Sequence, residues 1–201
     1  MKPLLKICGL TRPEDLLDAI AAGADYVGVV AVADSPRYVN ASAIRNLFRL
    51  VPRGTARRVV VTARLSCAEA MELVDFTGAD IIQLHGAEPA GYARQLRGVE
   101  VWRAFHLRGE ADIEEAAEFP CSMIVADSAR GGSGQCCDWE AVSRLARLRR
   151  VLLAGGITPD NAAAALAATG AAGVDVASGV ETSPGLKSSD KIFQLARRIN
   201  S

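Results

Sequence analysis

Short runs of apolar and β-branched residues alternate along the whole chain with longer stretches in which apolar residues recur at helical spacing. The short runs predict strands at about Leu4–Cys8, Tyr26–Val32, Arg58–Thr62, Ile81–Leu84, Val101–Phe105, Met123–Asp127, Val151–Ala154 and Val174–Ala177. Each is nearly continuous in apolar residues, as expected of strands buried on both faces of a parallel sheet. The stretches between them predict helices at Pro13–Ala22, Ala41–Leu50, Cys67–Thr77, Pro89–Arg97, Glu110–Glu118, Trp139–Leu148, Asn161–Thr169 and Ser189–Ile199. Thr11, Asn40, Ser66, Asp138 and Asp160 stand where N-caps are wanted, and Gly98 and Gly170 where helices stop.

Eight strand–helix units in 201 residues leave about 25 residues per unit, which requires short loops. Gly23-Ala24-Asp25, Gly78-Ala79-Asp80 and Gly173-Val174-Asp175 repeat a turn signal before or within strands. An open doubly wound sheet also alternates strand and helix but rarely fits eight units into this length. The prediction is an α/β fold, a (βα)8 TIM barrel, with residues 1–201 forming one domain.

Charge and cysteine usage narrow the function classes. Lys plus Arg equals Asp plus Glu at 23 each, so there is no electrostatic reason to seek nucleic acid or a membrane surface. The arginines at 144, 147, 149 and 150 read as a solvated helix face. Five cysteines, with Cys136 and Cys137 adjacent, and two histidines offer neither a disulfide framework nor zinc-ligand spacing. The N-terminal sequence MKPLLKICGLTRPED lacks the apolar stretch of a signal peptide, and no run approaches the length of a membrane helix. These features predict a cytoplasmic protein with free thiols and no metal. They do not determine the oligomeric state, and a homodimer is compatible with them.

A barrel carries its active site at the C-terminal ends of its strands, so candidate chemistry is sought there. Lys6 and Cys8 share one face of strand 1, and a thiol beside a cation ionises more readily; a buried, inert cysteine fits the position equally. Arg37, stiffened by Pro36, is suited to grip a carboxylate or phosphate, or is a surface arginine. His85 ends strand 4 and either transfers protons or bonds structurally. Asp127 ends strand 6, where burial favours a proton-holding general acid, although a solvated carboxylate or helix cap reads the same. The glycines at Gly131–Gly134 follow it. Gly155, Gly156, Ser178 and Gly179 after strands 7 and 8 together suggest a phosphate seat beyond simple turn chemistry. Asp175 points either to Lys6 or to a sugar hydroxyl.

The motifs at these ends resemble the phosphoribosylanthranilate isomerase family: KICGLT (Lys6–Thr11), SPRYV (Ser35–Val39), QLHG (Gln83–Gly86), ADS with GGSG (Ala126–Gly134) followed by Asp138-Trp139, LAGGITPDN (Leu153–Asn161) and GVDVASGVETSPGLK (Gly173–Lys187). The resemblance spans essentially the full chain with six motifs in order. It implies an Amadori rearrangement of N-(5-phosphoribosyl)anthranilate in tryptophan biosynthesis, on a small phosphorylated substrate and without a cofactor. By this match Cys8 is the general base at sugar C2 and Asp127 the general acid at the ring oxygen. Arg37 receives the anthranilate carboxylate, and His85 and Asp175 lie near the substrate. Gly155, Gly156, Ser178 and Gly179 seat the phosphate. Strand 5 carries Arg103 where a lysine is usual, and Ser133 stands where threonine is common.

Other readings compete. Lys6 as a Schiff-base nucleophile would make the protein an aldolase or lyase. A degenerate barrel would only bind a phosphorylated ligand or partner. An isomerase that also takes the related histidine-pathway aminoaldose would need a second phosphate seat, and the first four strand ends carry no Gly-Gly or Ser-Gly pair for one.

Overall fold

Parallel pairing joins each strand to the next, and the first strand pairs with the eighth, so the sheet closes. The structure is a computed structural model describing residues 2–127 and 138–200. In chain order the elements are β1 (Leu4–Ile7), α1 (Pro13–Ala21), β2 (Tyr26–Val30), α2 (Ala41–Arg49), β3 (Arg57–Thr62), α3 (Cys67–Thr77), β4 (Ile81–Leu84), α4 (Ala90–Ala93), β5 (Glu100–His106), α5 (Glu110–Glu118), β6 (Met123–Asp127), α6 (Trp139–Ala146), β7 (Val151–Leu153), α7 (Ala162–Thr169), β8 (Gly173–Val176) and α8 (Ser189–Ile199). The barrel order is β1 through β8, a (βα)8 TIM barrel. Between β8 and α8 lie a short 3-10 turn at Ser178–Val180 and a hairpin of β9 (Glu181–Ser183) and β10 (Leu186–Lys187).

Strand alternation sorts the side chains into two apolar layers. Ile7, Val27, Val29, Val60, Ile82, Ile124, Leu153 and Val176 face outward and are buried under the helices. Tyr26, Val59, Ile81, Trp102, Met123 and Leu152 face inward and fill the lower barrel. The Gly-x-Asp turns stitch strand starts together: Asp25 Oδ2 accepts the Leu5 N–H at 2.8 Å, and Asp80 Oδ2 accepts the Arg58 N–H at 2.8 Å.

Three local expectations change. The helix expected over Pro89–Arg97 contracts to the single turn of α4, because Gly91 weakens the segment and few apolar positions hold it. Thr11 does not cap α1: Arg12 occupies the N-cap without a side-chain bond, and Thr11 Oγ1 donates to the Gly185 carbonyl at 2.6 Å. Asp160 likewise gives way to Asn161 at the N-cap of α7. Asn40, Ser66 and Asp138 do cap, and Ser66 forms a full capping box with Glu69. The Gly131–Gly134 stretch, Ser133, Cys136 and Cys137 lie outside the described residues. Among the described residues no helix is long and apolar enough to cross a membrane.

Candidate active site

Side-chain parity carries β1 from the apolar plug to the mouth in three steps, Leu4, Lys6 and Cys8. Lys6 is wholly buried inside the barrel, and in-register pairing sets it against Asp175 on β8. Its Nζ lies 2.6 Å from Asp175 Oδ2. Gly28 on β2 makes the space: a Cβ there would stand 3.0 Å from Cys8 Sγ and 3.1 Å from Lys6 Cε. Burial alone would lower the Lys6 proton affinity, but Asp175 and Cys8 outweigh it and hold the ammonium above the usual lysine range. An amine nucleophile needs the opposite shift, which removes support from the Schiff-base reading.

The cation does not have the expected effect on Cys8. Burial pushes the thiol above its ordinary value; Lys6 pulls it back and Asp175 works against that pull, leaving a net upward shift. The expectation of a more easily ionised thiol is therefore corrected. Desolvation of the small anion outweighs one neighbouring cation whose charge is already engaged by Asp175.

A cavity of about 580 Å³ opens over these residues at the C-terminal ends of the strands. All nine positions singled out from the sequence line it: Cys8, Arg37, His85, Asp127, Gly155, Gly156, Asp175, Ser178 and Gly179. His85 Nε2 stands 3.8 Å from Asp127 Oδ2, too long for a hydrogen bond. Burial lowers the His85 proton affinity, Asp127 opposes this and His106 adds to it; the imidazole is neutral at neutral pH. Asp175 Oδ1 and Gln83 Oε1 are buried with no hydrogen-bond partner among the described residues. Two such acceptors on a cavity wall suit hydroxyl donors of a ligand.

The loops after β7 and β8 line the cavity with glycine backbone. Gly155 and Gly156 have φ of 72° and 67°, the left-handed conformation that favours glycine. A Cβ on Gly179 would sit 1.8 Å from the Ile157 carbonyl oxygen, so only glycine lets the loops after β7 and β8 approach this closely. Arg37 is bound bidentately by Glu181, Nε to Oε1 at 2.8 Å and Nη2 to Oε2 at 2.6 Å. Burial would raise the Glu181 carboxyl, but Arg37 and Lys187 hold it below the usual carboxylate range.

The sequence of this chain matches the model of the family described as N-(5'phosphoribosyl)anthranilate (PRA) isomerase over residues 5–198. The chain belongs to the PRA isomerase family. It is 37% identical to the N-(5'-phosphoribosyl)anthranilate isomerase of Citrifermentans bemidjiense over 95% of this chain and 94% of that one. The crystal structure of the Thermus thermophilus phosphoribosyl anthranilate isomerase superposes with a TM-score of 0.91 at 36% identity, covering 98% of both chains. A PRA isomerase in complex with reduced 1-(o-carboxyphenylamino)-1-deoxyribulose 5-phosphate gives a TM-score of 0.89 at 30% identity, again over 98% of each. Like its relatives, this PRA isomerase family member is an enzyme of the isomerase class.

Two further features escaped the sequence. His106 ends β5 beside Asp127 in register, 6.1 Å from the His85 ring, and its buried Nδ1 has no partner among the described residues. Its parity with Trp102 and Ala104 was the available signal. Arg103, the counterpart of the usual family lysine, faces outward: its Nη1 donates to Glu88 at 2.7 Å and its guanidinium packs on Phe105 and Phe119. Glu88 also accepts the N–H groups of Arg64 and Gly86 at 2.9 and 3.0 Å, so Arg103 braces the loops after β3 and β4.

Proposed function

We propose that residues 1–201 form one cytoplasmic isomerase domain that converts N-(5-phosphoribosyl)anthranilate to 1-(2-carboxyphenylamino)-1-deoxyribulose 5-phosphate in tryptophan biosynthesis. One observation carries the reading: Cys8, just past β1, and Asp127 at the end of β6 open onto a single cavity that the Arg37 guanidinium and the glycine loops after β7 and β8 also line. A guanidinium and glycine loops around one cavity suit a ligand that carries both a carboxylate and a phosphate. Arg37 takes the carboxylate, and Gly155, Gly156, Ser178 and Gly179 take the phosphate. Asp175 and His85 bond the sugar between them.

In this mechanism Asp127 gives its proton to the ring oxygen as the C1–O bond breaks. The nitrogen lone pair closes a C=N bond at C1, and the cation so formed acidifies the C2 hydrogen. Cys8 takes that proton, and the C–H electrons form the C1=C2 bond of an enolamine. Loss of the C2 hydroxyl proton and protonation at C1 give the ketone, with no net change in atoms or electrons. A thiol held above its ordinary value is seldom ionised at rest but is a stronger base once it is. Lys6 keeps that ionised form accessible in an otherwise desolvated position.

The direct test follows the loss of anthranilate fluorescence when the purified protein meets phosphoribosylanthranilate made in place. Turnover by wild type, lost in Cys8→Ala and Asp127→Asn, supports both the reaction and the pair. A folded wild type that is inert would leave only a ligand-binding barrel.

A further inference from the structure

Arg37 is held from behind by a group that neutralises it. A guanidinium paired bidentately with Glu181 carries no net charge as a pair, and a carboxylate arriving from the cavity would be attracted only weakly. A second cation changes this balance. Lys187 at the end of β10 donates from Nζ to the same Glu181 Oε1 at 2.8 Å, and to the Ala177 carbonyl at 3.1 Å. Its side chain is entirely buried, and it does not line the cavity. Two cations therefore share one carboxylate.

Burial loosens the Lys187 hold on its proton and Glu181 opposes this, and among the described residues no second carboxylate meets its ammonium. The other buried carboxylate touching the hairpin, Asp15, accepts the Lys187 backbone N–H at 3.2 Å, but both its oxygens are taken by Arg12 at 3.0 and 2.6 Å. Lys191, which is exposed, donates to the Glu181 carbonyl at 2.8 Å and adds no negative charge. The hairpin itself is fastened down: Gly185 donates its N–H to Glu181 Oε1 at 3.2 Å, and Thr11 Oγ1 donates to the Gly185 carbonyl. Burying an ammonium is costly where a neutral donor could brace Glu181, so its charge is the feature that needs a reason.

We infer that Glu181 and Lys187 are positioning residues for anion recognition: Glu181 fixes the plane of the Arg37 guanidinium, and Lys187 restores the positive charge with which Arg37 takes the substrate's aromatic carboxylate. The inference rests on the proposed placement of that carboxylate at Arg37. It makes the β9–β10 hairpin part of substrate selection although its residues do not line the cavity.

Calorimetric binding of two stable reduced product analogues, one with the ring carboxylate and one without, tests it in wild type, Lys187→Met and Lys187→Arg. Lys187→Met is expected to weaken the carboxylated analogue about tenfold, from loss of one nearby charge in a partly desolvated site. The decarboxylated analogue is expected to bind unchanged, and Lys187→Arg to restore the difference. Should Lys187→Met not fold, Lys187→Gln, which keeps a donor and removes the charge, carries the same comparison. Equal losses on both analogues, or none on either, would overturn the inference by making Lys187 a structural brace. A wild type that does not distinguish the two analogues would instead overturn the placement of the carboxylate at Arg37.

Discussion

The lower and upper halves of the barrel interior are made by the same strands two residues apart, yet they differ in kind. Below, Tyr26, Val59, Ile81, Trp102, Met123 and Leu152 form an apolar plug. Tyr26 and Trp102 meet edge to face with ring centroids 4.6 Å apart, and the Trp102 indole N–H is satisfied by Glu100 at 2.8 Å. Above, Lys6, Gln83 and Asp175 are buried polar groups, two of them with acceptors left unpartnered among the described residues. The plug is apolar, whereas the mouth keeps polar acceptors that have no partner among the described residues. Stability and chemistry are thus stacked along one axis, and substitutions should separate them.

The largest effects are expected at the mouth, on rate alone. Cys8→Ala or Asp127→Asn should lower kcat by about 10²–10⁴, the usual contribution of a positioned acid or base, with the denaturation midpoint close to wild type. A comparable loss of stability would break the division. Trp102→Ala should do the reverse, destabilising by about 3–5 kcal/mol through the cavity it leaves, read as a lower urea midpoint. Turnover per folded molecule should stay near wild type.

Lys6 sits on the boundary and should fail both ways. Lys6→Met leaves Asp175 buried without its cation, at a cost of about 3–5 kcal/mol, and removes the group that pulls the Cys8 thiol down. Lys6→Met should also lower kcat, since the Cys8 thiolate is then harder to form.

Linkage gives a pH signature with its own sign. The Lys6 ammonium is held above its usual range in the fold, so the stability it contributes is fully present below the unfolded value of about 10.4 and is lost as pH rises through the folded value. Wild type should therefore lose an alkaline increment of stability that Lys6→Met lacks. The smallest effect is expected on the outer shell, where Ser66→Ala removes the capping box of α3. That should cost about 1 kcal/mol and leave kcat and KM unchanged.

Much of this organisation was legible in the chain. β4, β6, α3, α5 and α8 have the bounds their apolar runs and caps predict, because a strand buried on both faces must be apolar throughout and must end where polar residues or glycine begin. The same rule located the candidate site: residues just past the apolar runs gather at one end of a parallel barrel, and all nine line one cavity. The short α4 was not legible, since helical spacing over Pro89–Arg97 says nothing of how little apolar surface would hold it. Nor was the partner of Arg103, since Glu88 reaches it from a separate loop.

The sequence by itself determined the number and order of the strands, the closure they permit and the set of residues brought to the mouth, because these follow from periodicity and from the position of each strand end. Only the tertiary structure decided how those residues are charged and held. Glu181 reaches Arg37 from 144 residues away, Asp175 reaches Lys6 from 169, and the Cys8 thiol is raised rather than lowered. Such properties depend on distance, burial and competing partners at once, and those exist only after the chain has closed on itself.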